Sequence, residues 1–183
     1  MAAGKLPEIG FVRECLDYDP DTGVFTWRER PLRHFVNARG HWQWNGRYPG
    51  TPAGSEKGRA RSRNYVGIRL NGELFNAHRL AWLLHHGTDP EASEIDHIDG
   101  DALNNRISNL RLATRSENTS NRRVARNTQT GVKGVTVHGN GYIACIKSKG
   151  KRYYLGWFHS IEEAAEARRK AAIELHGEFH RHE

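Results

Sequence analysis

The chain is poor in cysteine. Its 183 residues hold two, Cys15 and Cys145, far apart in sequence. That excludes a disulfide framework and any Cys-x-x-Cys zinc site, so no zinc is expected. Two separated thiols suit a reducing compartment. Long apolar runs are also missing, and no segment approaches the length needed to span a bilayer. The opening Met1-Ala-Ala-Gly-Lys-Leu-Pro7 has no signal-peptide core. With 37% hydrophobic residues and a mean hydropathy of −0.79, the chain reads as polar, with no membrane partner and a cytoplasmic site of action expected.

Basic charge is plentiful but uneven. The net charge is +7 and the sequence pI about 9.7, which points to a polyanionic partner. Residues 1–27 carry −3, residues 28–63 carry +7, residues 64–114 carry −3, residues 115–130 carry +3 and residues 131–183 carry +3. An acidic block therefore lies between basic blocks. A single basic run is usually a solvated loop. Two runs flanking carboxylates suit a protein that binds a cation at its centre and phosphates around it.

That acidic block contains the most informative stretch, Glu94-Ile-Asp-His-Ile-Asp-Gly100 through Asn118. It reads as strand, loop, strand and helix. Ile95 and Ile98 flank an Asp-His pair. Gly100, Asp101, Asn104 and Asn105 are turn residues. Leu110 and Leu112 alternate with Arg111 as in a half-buried strand. Thr114 and Glu117 form a capping box that starts a helix carrying Asn118. On an extended segment Asp96 and His97 point to opposite sides. A helix packed on the strands can return Asn118 toward Asp96. A carboxylate and an amide oxygen form a hard-oxygen pair suited to Mg²⁺, and His97 titrates near working pH.

These residues, Asp96-His97, Asn109 twelve positions on and Asn118 nine further, resemble the HNH (His-Me finger, ββα-metal) endonucleases, in the phage homing branch where Asn replaces the last His. The resemblance implies His97 as general base, Asp96 and Asn118 as metal ligands, and Asn109 as a brace that orients His97. Asn in place of the final His favours Mg²⁺, with Mn²⁺ as a substitute, over a softer metal.

Residues 8–27 form a lead-in. Phe11, Val12, Cys15 and Leu16 have helical spacing, Tyr18–Gly23 is a turn, and Val24–Trp27 is a short strand. They resemble the Tyr-Asp-x-x-Thr-Gly-x-Phe-x-Trp pattern ahead of phage HNH cores, though a local hydrophobic plug fits equally well. In residues 28–63, Trp42 and Trp44 alternate as in a strand. Gly54–Asn64 looks like a flexible, DNA-contacting loop in which Arg59, Arg61 and Arg63 are phosphate candidates. Tyr65–Leu70 and Glu73–Asn76 flank Asn71-Gly72, a type I′ hairpin signal. A helix with Leu80, Leu83 and Leu84 on one face follows and stops at Gly87. Arg79 sits in the Ala-His-Arg-Leu pattern that precedes HNH cores and is a candidate for the scissile region or the DNA backbone, with a simple packing or surface position the equal alternative for it and for His78. His78 beside it is a candidate supporting residue.

After Asn118 the helix is expected to reach about Arg123, with Arg122 and Arg123 on DNA and residues 124–130 a basic linker. Residues 131–183 read as three strands (Gly131–His138, Tyr142–Lys147, Lys151–Phe158) and a capped helix through Leu175. Lys133-Gly-Val135, Tyr142-Ile-Ala144, Tyr154-Leu-Gly156 with Phe158, and Glu162-Glu-Ala-Ala165 resemble the APETALA-type (ethylene-response-factor) DNA-binding domain. That resemblance implies a sheet laid on DNA, with Lys133, Lys147, Arg152 and Tyr154 as contacts. A sheet that only packs on the rest of the protein is the plainer alternative.

The expected architecture is α+β: a lead-in and basic DNA-contacting region over 1–63, a ββα-metal core over 64–123, a basic linker over 124–130, and a three-stranded antiparallel sheet on one helix over 131–183. The resemblances imply a Mg²⁺-dependent endonuclease acting on double-stranded DNA, phage-encoded and working in a bacterial host cell. A monomer would nick, and a homodimer would cut both strands. The competing reading is a non-catalytic DNA-binding regulator that keeps the fold as scaffold. An RNA-directed module is a weaker third.

Overall fold

The computed structural model describes residues 5–57, 65–121 and 128–179. The chain is α+β and forms two compact units, Met1–Leu112 and Ala113–Glu183.

The first unit begins with α1 (Ile9–Cys15), whose Val12 and Cys15 are fully buried. The chain leaves it directly into β1 (Leu16–Tyr18), which pairs antiparallel with β2 (Phe25–Trp27). The turn between them is held by Asp19. Its carboxylate accepts the Asp21 N–H and the Thr22 hydroxyl.

Residues 38–45 depart from the alternation of Trp42 and Trp44. They form α2 (Ala38–Asn45) rather than a strand. Asn37 caps the helix by accepting the Gly40 N–H. Trp44 turns inward against Trp27 and Tyr48, with ring centroids 5.1 and 4.2 Å away. Two tryptophans at i and i+2 lie about 200° apart on a helix, so only one can reach the core. Within the loop expected at 54–64, Ser55–Lys57 form β3 and pair with β4 (Tyr65–Leu70).

β4 and β5 (Glu73–Asn76) make the hairpin. Asn71 and Gly72 both have positive φ (46° and 83°), as the turn requires. α3 (Ala77–His86) follows and ends at Gly87 in the left-handed region. Its Leu80 and Leu83 join Ile68, Leu70, Val12 and Leu16 in one apolar core. β6 (Glu94–His97) and β7 (Leu110–Ala113) form a separate two-stranded sheet. Leu110 and Ala113 are buried while Leu112 between them is 43% exposed, so the strand does not follow the even alternation of Leu110 and Leu112.

In the second unit, α4 (Arg115–Ser120) starts at the Thr114–Glu117 capping box. The helix ends with Asn121 as its C-cap, short of Arg123. β8 (Val135–His138), β9 (Gly141–Ser148) and β10 (Lys151–Phe158) make an antiparallel sheet in the order β10-β9-β8. The first strand is shorter than expected. The Thr130 hydroxyl donates to the Val135 carbonyl, and Gly131 and Gly134 have positive φ, so residues 131–134 turn instead of extending. α5 (Ile161–His176) opens on a second capping box, Ser160 with Glu163. Its fully buried Ala164 packs with Val135 and Ala144, small side chains that let helix and sheet approach closely.

Candidate active site

β6 buries three successive residues, Ile95, Asp96 and His97. Asp96 is 2% exposed, and a carboxylate so buried is costly unless a cation meets it. Arg111, from the adjacent β7, supplies one: its Nε and Nη2 donate to Asp96 Oδ2 at 3.0 and 2.9 Å. Arg111 is only the polar member of an alternating strand in the sequence. Its role required knowing which residue β7 sets against Asp96.

His97 lies in an aromatic surround. The His78 ring, from α3, stands edge-on to it with centroids 5.1 Å apart, and Tyr65, from β4, lies at 6.2 Å. His97 Nε2 is 3.5 Å from Asn105 Oδ1, a long polar contact. His78 is buried, and its Nδ1 has no hydrogen-bond partner among the described residues. Burial, with the charges of His97 and Arg79 added, pushes the His78 pKa down to about 3, so its ring is neutral at working pH.

The loop between β6 and β7 is held by its own side chains. Asp99 accepts from the Asp101 N–H and from the amides of Asn104 and Asn109, at 2.8, 2.7 and 3.0 Å. Burial raises the Asp99 pKa, but these hydrogen bonds and the His97 charge outweigh it and hold the carboxyl below its ordinary value. Asn109 Oδ1 accepts the Asp99 N–H, and its amide also donates to the Asn104 carbonyl. Asn109 thus ties the loop to itself, while Asn105, which the sequence marks only as a turn residue, is a polar neighbour of His97.

The lead-in reaches this loop. The Tyr18 hydroxyl donates to the Asn105 carbonyl at 2.7 Å, and the Ile107 N–H donates to the Pro20 carbonyl at 3.0 Å. Gly23 passes so close that a Cβ there would lie 2.5 Å from Arg106 N.

The remaining candidates divide. Asn118 is half-buried on α4, in the second unit. Arg59, Arg61, Arg63, Arg122 and Arg123 lie outside the described residues. Arg79 takes the packing alternative among the described residues. It is 7% exposed and pairs with Asp89 at 2.9 Å, so the guanidinium fastens the chain after α3 rather than facing solvent. Lys147 and Arg152 are exposed and directly opposite each other on β9 and β10, and Tyr154 is 64% exposed on β10. Lys133, Lys147 and Arg152 line a cleft of about 630 Å³ with Arg115, Arg168 and His176. Arg115 and Arg168 carry no mark in the sequence, since only the fold brings α4 and α5 to the edge of the sheet.

Among the described residues no group of three or more His, Cys, Asp or Glu side chains converges as a metal cluster. The pair read from the sequence, one carboxylate and one amide, is a hard-oxygen donor set of the kind that suits Mg²⁺ or Mn²⁺.

Residues 75–120, which contain α3, β6, the braced loop, β7 and α4, match the family profile described as HNH endonuclease. Protein 3.8 of Escherichia phage T7 is 32% identical over 106 residues, covering 57% of this chain and 87% of that protein. An uncharacterized HNH endonuclease, L560, of Acanthamoeba polyphaga mimivirus is 36% identical over 103 residues. That match covers 56% of this chain and 54% of the mimivirus protein, so the chain spans about half the length of that relative. It is the segment of residues 75–120 that matches the HNH endonuclease family. A solved structure titled as DNA binding and cleavage by the HNH homing endonuclease I-HmuI aligns with 96% of this chain and 91% of its own. Its TM-score is 0.40 at 20% identity, a likeness too slight to bear on function.

Proposed function

We propose that this chain is a metal-dependent DNA endonuclease of the homing type that hydrolyses a phosphodiester bond in double-stranded DNA and nicks as a monomer. The observation that carries the reading is the buried Asp96-His97 pair at the end of β6, inside the segment that matches the HNH endonuclease profile. In the tautomer whose Nε2–H donates to Asn105 Oδ1, His97 Nδ1 holds the lone pair that takes a proton from the attacking water. Tyr65 and His78 limit the rotation of that ring. Asp96, with Asn118, would hold a single Mg²⁺. Asn118 enters this reading from the family resemblance alone. When bound, Mg²⁺ neutralises charge on the leaving oxygen.

The sheet of the second unit is the surface we assign to DNA, after its likeness to APETALA-type domains. Lys133, Lys147, Arg152 and Tyr154 are the contacts. The exposed, cross-strand placement of Lys147 and Arg152 supports the reading.

The test is incubation with supercoiled plasmid and Mg²⁺ or Mn²⁺, beside His97→Ala and an EDTA control. Open-circle product that needs the metal and falls by about 10²–10⁴-fold in the variant is expected for a general base. Linear product would instead indicate paired cutting by a dimer. One observation favours a second reading, a DNA-binding regulator without catalysis: Arg111 neutralises Asp96 as it would in a purely structural ion pair. Salt-sensitive binding with no cleavage under either metal would select that reading.

A further inference from the structure

The exposed side of α2 is used by none of the interactions above. From Arg30 to Ser55 the chain has no acidic residue, and the stretch carries four arginines. Two of them are committed internally. Arg30 is 7% exposed, lies over the Phe35 and Trp44 rings at 5.2 Å, and donates to Asn71 Oδ1. Arg33 pairs with Glu14. Arg39 and Arg47 are exposed, and neither meets a carboxylate among the described residues.

Between them stands Trp42, 71% exposed, three residues after Arg39 and therefore its neighbour on one helical face. Val36, just ahead of the helix, is also fully exposed. An exposed indole beside the Arg39 face of the helix, in a stretch without acidic residues and with Arg47 over the Tyr48 ring just past its end, complements a polyanion that carries flat apolar groups. Nucleic acid has both: phosphates for the arginines and base faces for the ring. A membrane surface calls for a broader apolar face than an eight-residue helix with a single exposed tryptophan presents.

We propose that α2 is a DNA contact in its own right. Trp42 stacks on or wedges between bases, and Arg39 and Arg47 neutralise the flanking phosphates. The proposal rests on the endonuclease reading and extends it to a surface on the first unit that is remote in sequence from the Asp96-His97 pair.

The experiment uses the full chain and a fluorescein-labelled 30-base-pair duplex, titrated over a range of salt concentrations. Trp42→Ala, Trp42→Phe and Arg39→Ala/Arg47→Ala are compared with the unaltered protein, each checked for an unchanged thermal melt. Trp42→Ala should weaken binding by about 5- to 150-fold, the range for losing one base–aromatic stack, and Trp42→Phe should recover most of it. The arginine pair should lower the slope of log K against log salt by about 1.8, while Trp42→Ala leaves the slope unchanged. Equal DNA affinity for Trp42→Ala overturns the proposal. So does cosedimentation with anionic phosphatidylserine vesicles, or concentration-dependent dimerisation, that is lost in Trp42→Ala while DNA binding is kept. If the unaltered protein binds and cuts DNA and Trp42→Ala does the same, this inference alone fails. If the unaltered protein does neither, the endonuclease reading fails with it.

Discussion

At the scale of single residues, the site is built from buried polar groups whose partners are specific. Arg111 is 14% exposed at its side chain and its partner Asp96 is 3% exposed. Arg111→Ala removes the guanidinium that meets this buried carboxylate and should cost about 3–5 kcal/mol, measured as a lower denaturant midpoint at neutral pH. In Arg111→Ala with Asp96→Asn most of that loss should return, because the buried charge is gone. His78 gives a pH signature of opposite origin. Its pKa is depressed from 6.5 to about 3 in the folded chain, so the unfolded chain binds the proton first. Stability is full above pH 6.5 and declines as the pH falls from there toward 3, by an amount on the order of several kcal/mol. His78→Phe keeps an aromatic ring beside His97 and should flatten that acid limb in denaturant titrations between pH 7 and 4. Asp96 and His97 were legible as chemistry in the sequence. Arg111, His78 and Tyr65 were not legible as their neighbours, because they come from β7, α3 and β4 and meet only across strand and helix contacts.

At the scale of elements, the lead-in is a support for the loop after His97. Tyr18 and Gly23 both lean on the backbone at residues 105–106. Gly23 has φ +75°, so Gly23→Ala combines backbone strain with a collision and should cost about 1–3 kcal/mol. The thermal melt and the nicking rate should drop together, since the loop that faces His97 shifts with the turn. Tyr18 is held protonated, its pKa pushed up to about 12 by burial and by Asp19 and Asp21. Its contribution is present below pH 10 and is lost as the pH rises from 10 to 12, a decline that Tyr18→Phe should remove from an alkaline unfolding series. The hairpin at Asn71-Gly72 and both capping boxes were readable directly, since each depends on residues within four positions of one another. α2 was not. The i, i+2 spacing of Trp42 and Trp44 matches a strand, and the outcome was decided by the Asn37 cap and by the pocket that Trp27 and Tyr48 offer to Trp44.

At the scale of the molecule, charge and metal act on different properties. The first unit has an apolar core running from α1 through α3, and the sheet of the second packs on α5 around its own small cluster. EDTA should therefore abolish nicking while leaving the thermal midpoint within about 1 °C of the untreated protein. A larger shift would mean that the metal also holds the fold together. Basic charge governs affinity. Lys147→Ala and Arg152→Ala should each weaken duplex binding without regard to sequence and each reduce the salt slope by about 0.9.

The sequence by itself determined the local vocabulary: strand, braced loop, strand and capped helix around Asp96 and His97, the hairpin, and the three strands and helix near the end. These follow from turn chemistry, caps and hydrophobic period, which act over a few residues. It also set the charge blocks, which follow from composition alone. Only the tertiary structure decided which charges are available. Arg79 and Arg30 belong to the same basic inventory as Lys147 and Arg39, yet the first two are buried against Asp89 and an aromatic cage while the others face water. A guanidinium's burial depends on the partner that packing brings to it: Asp89 lies 10 residues from Arg79, and Asn71, which accepts from Arg30, lies 41 residues from it.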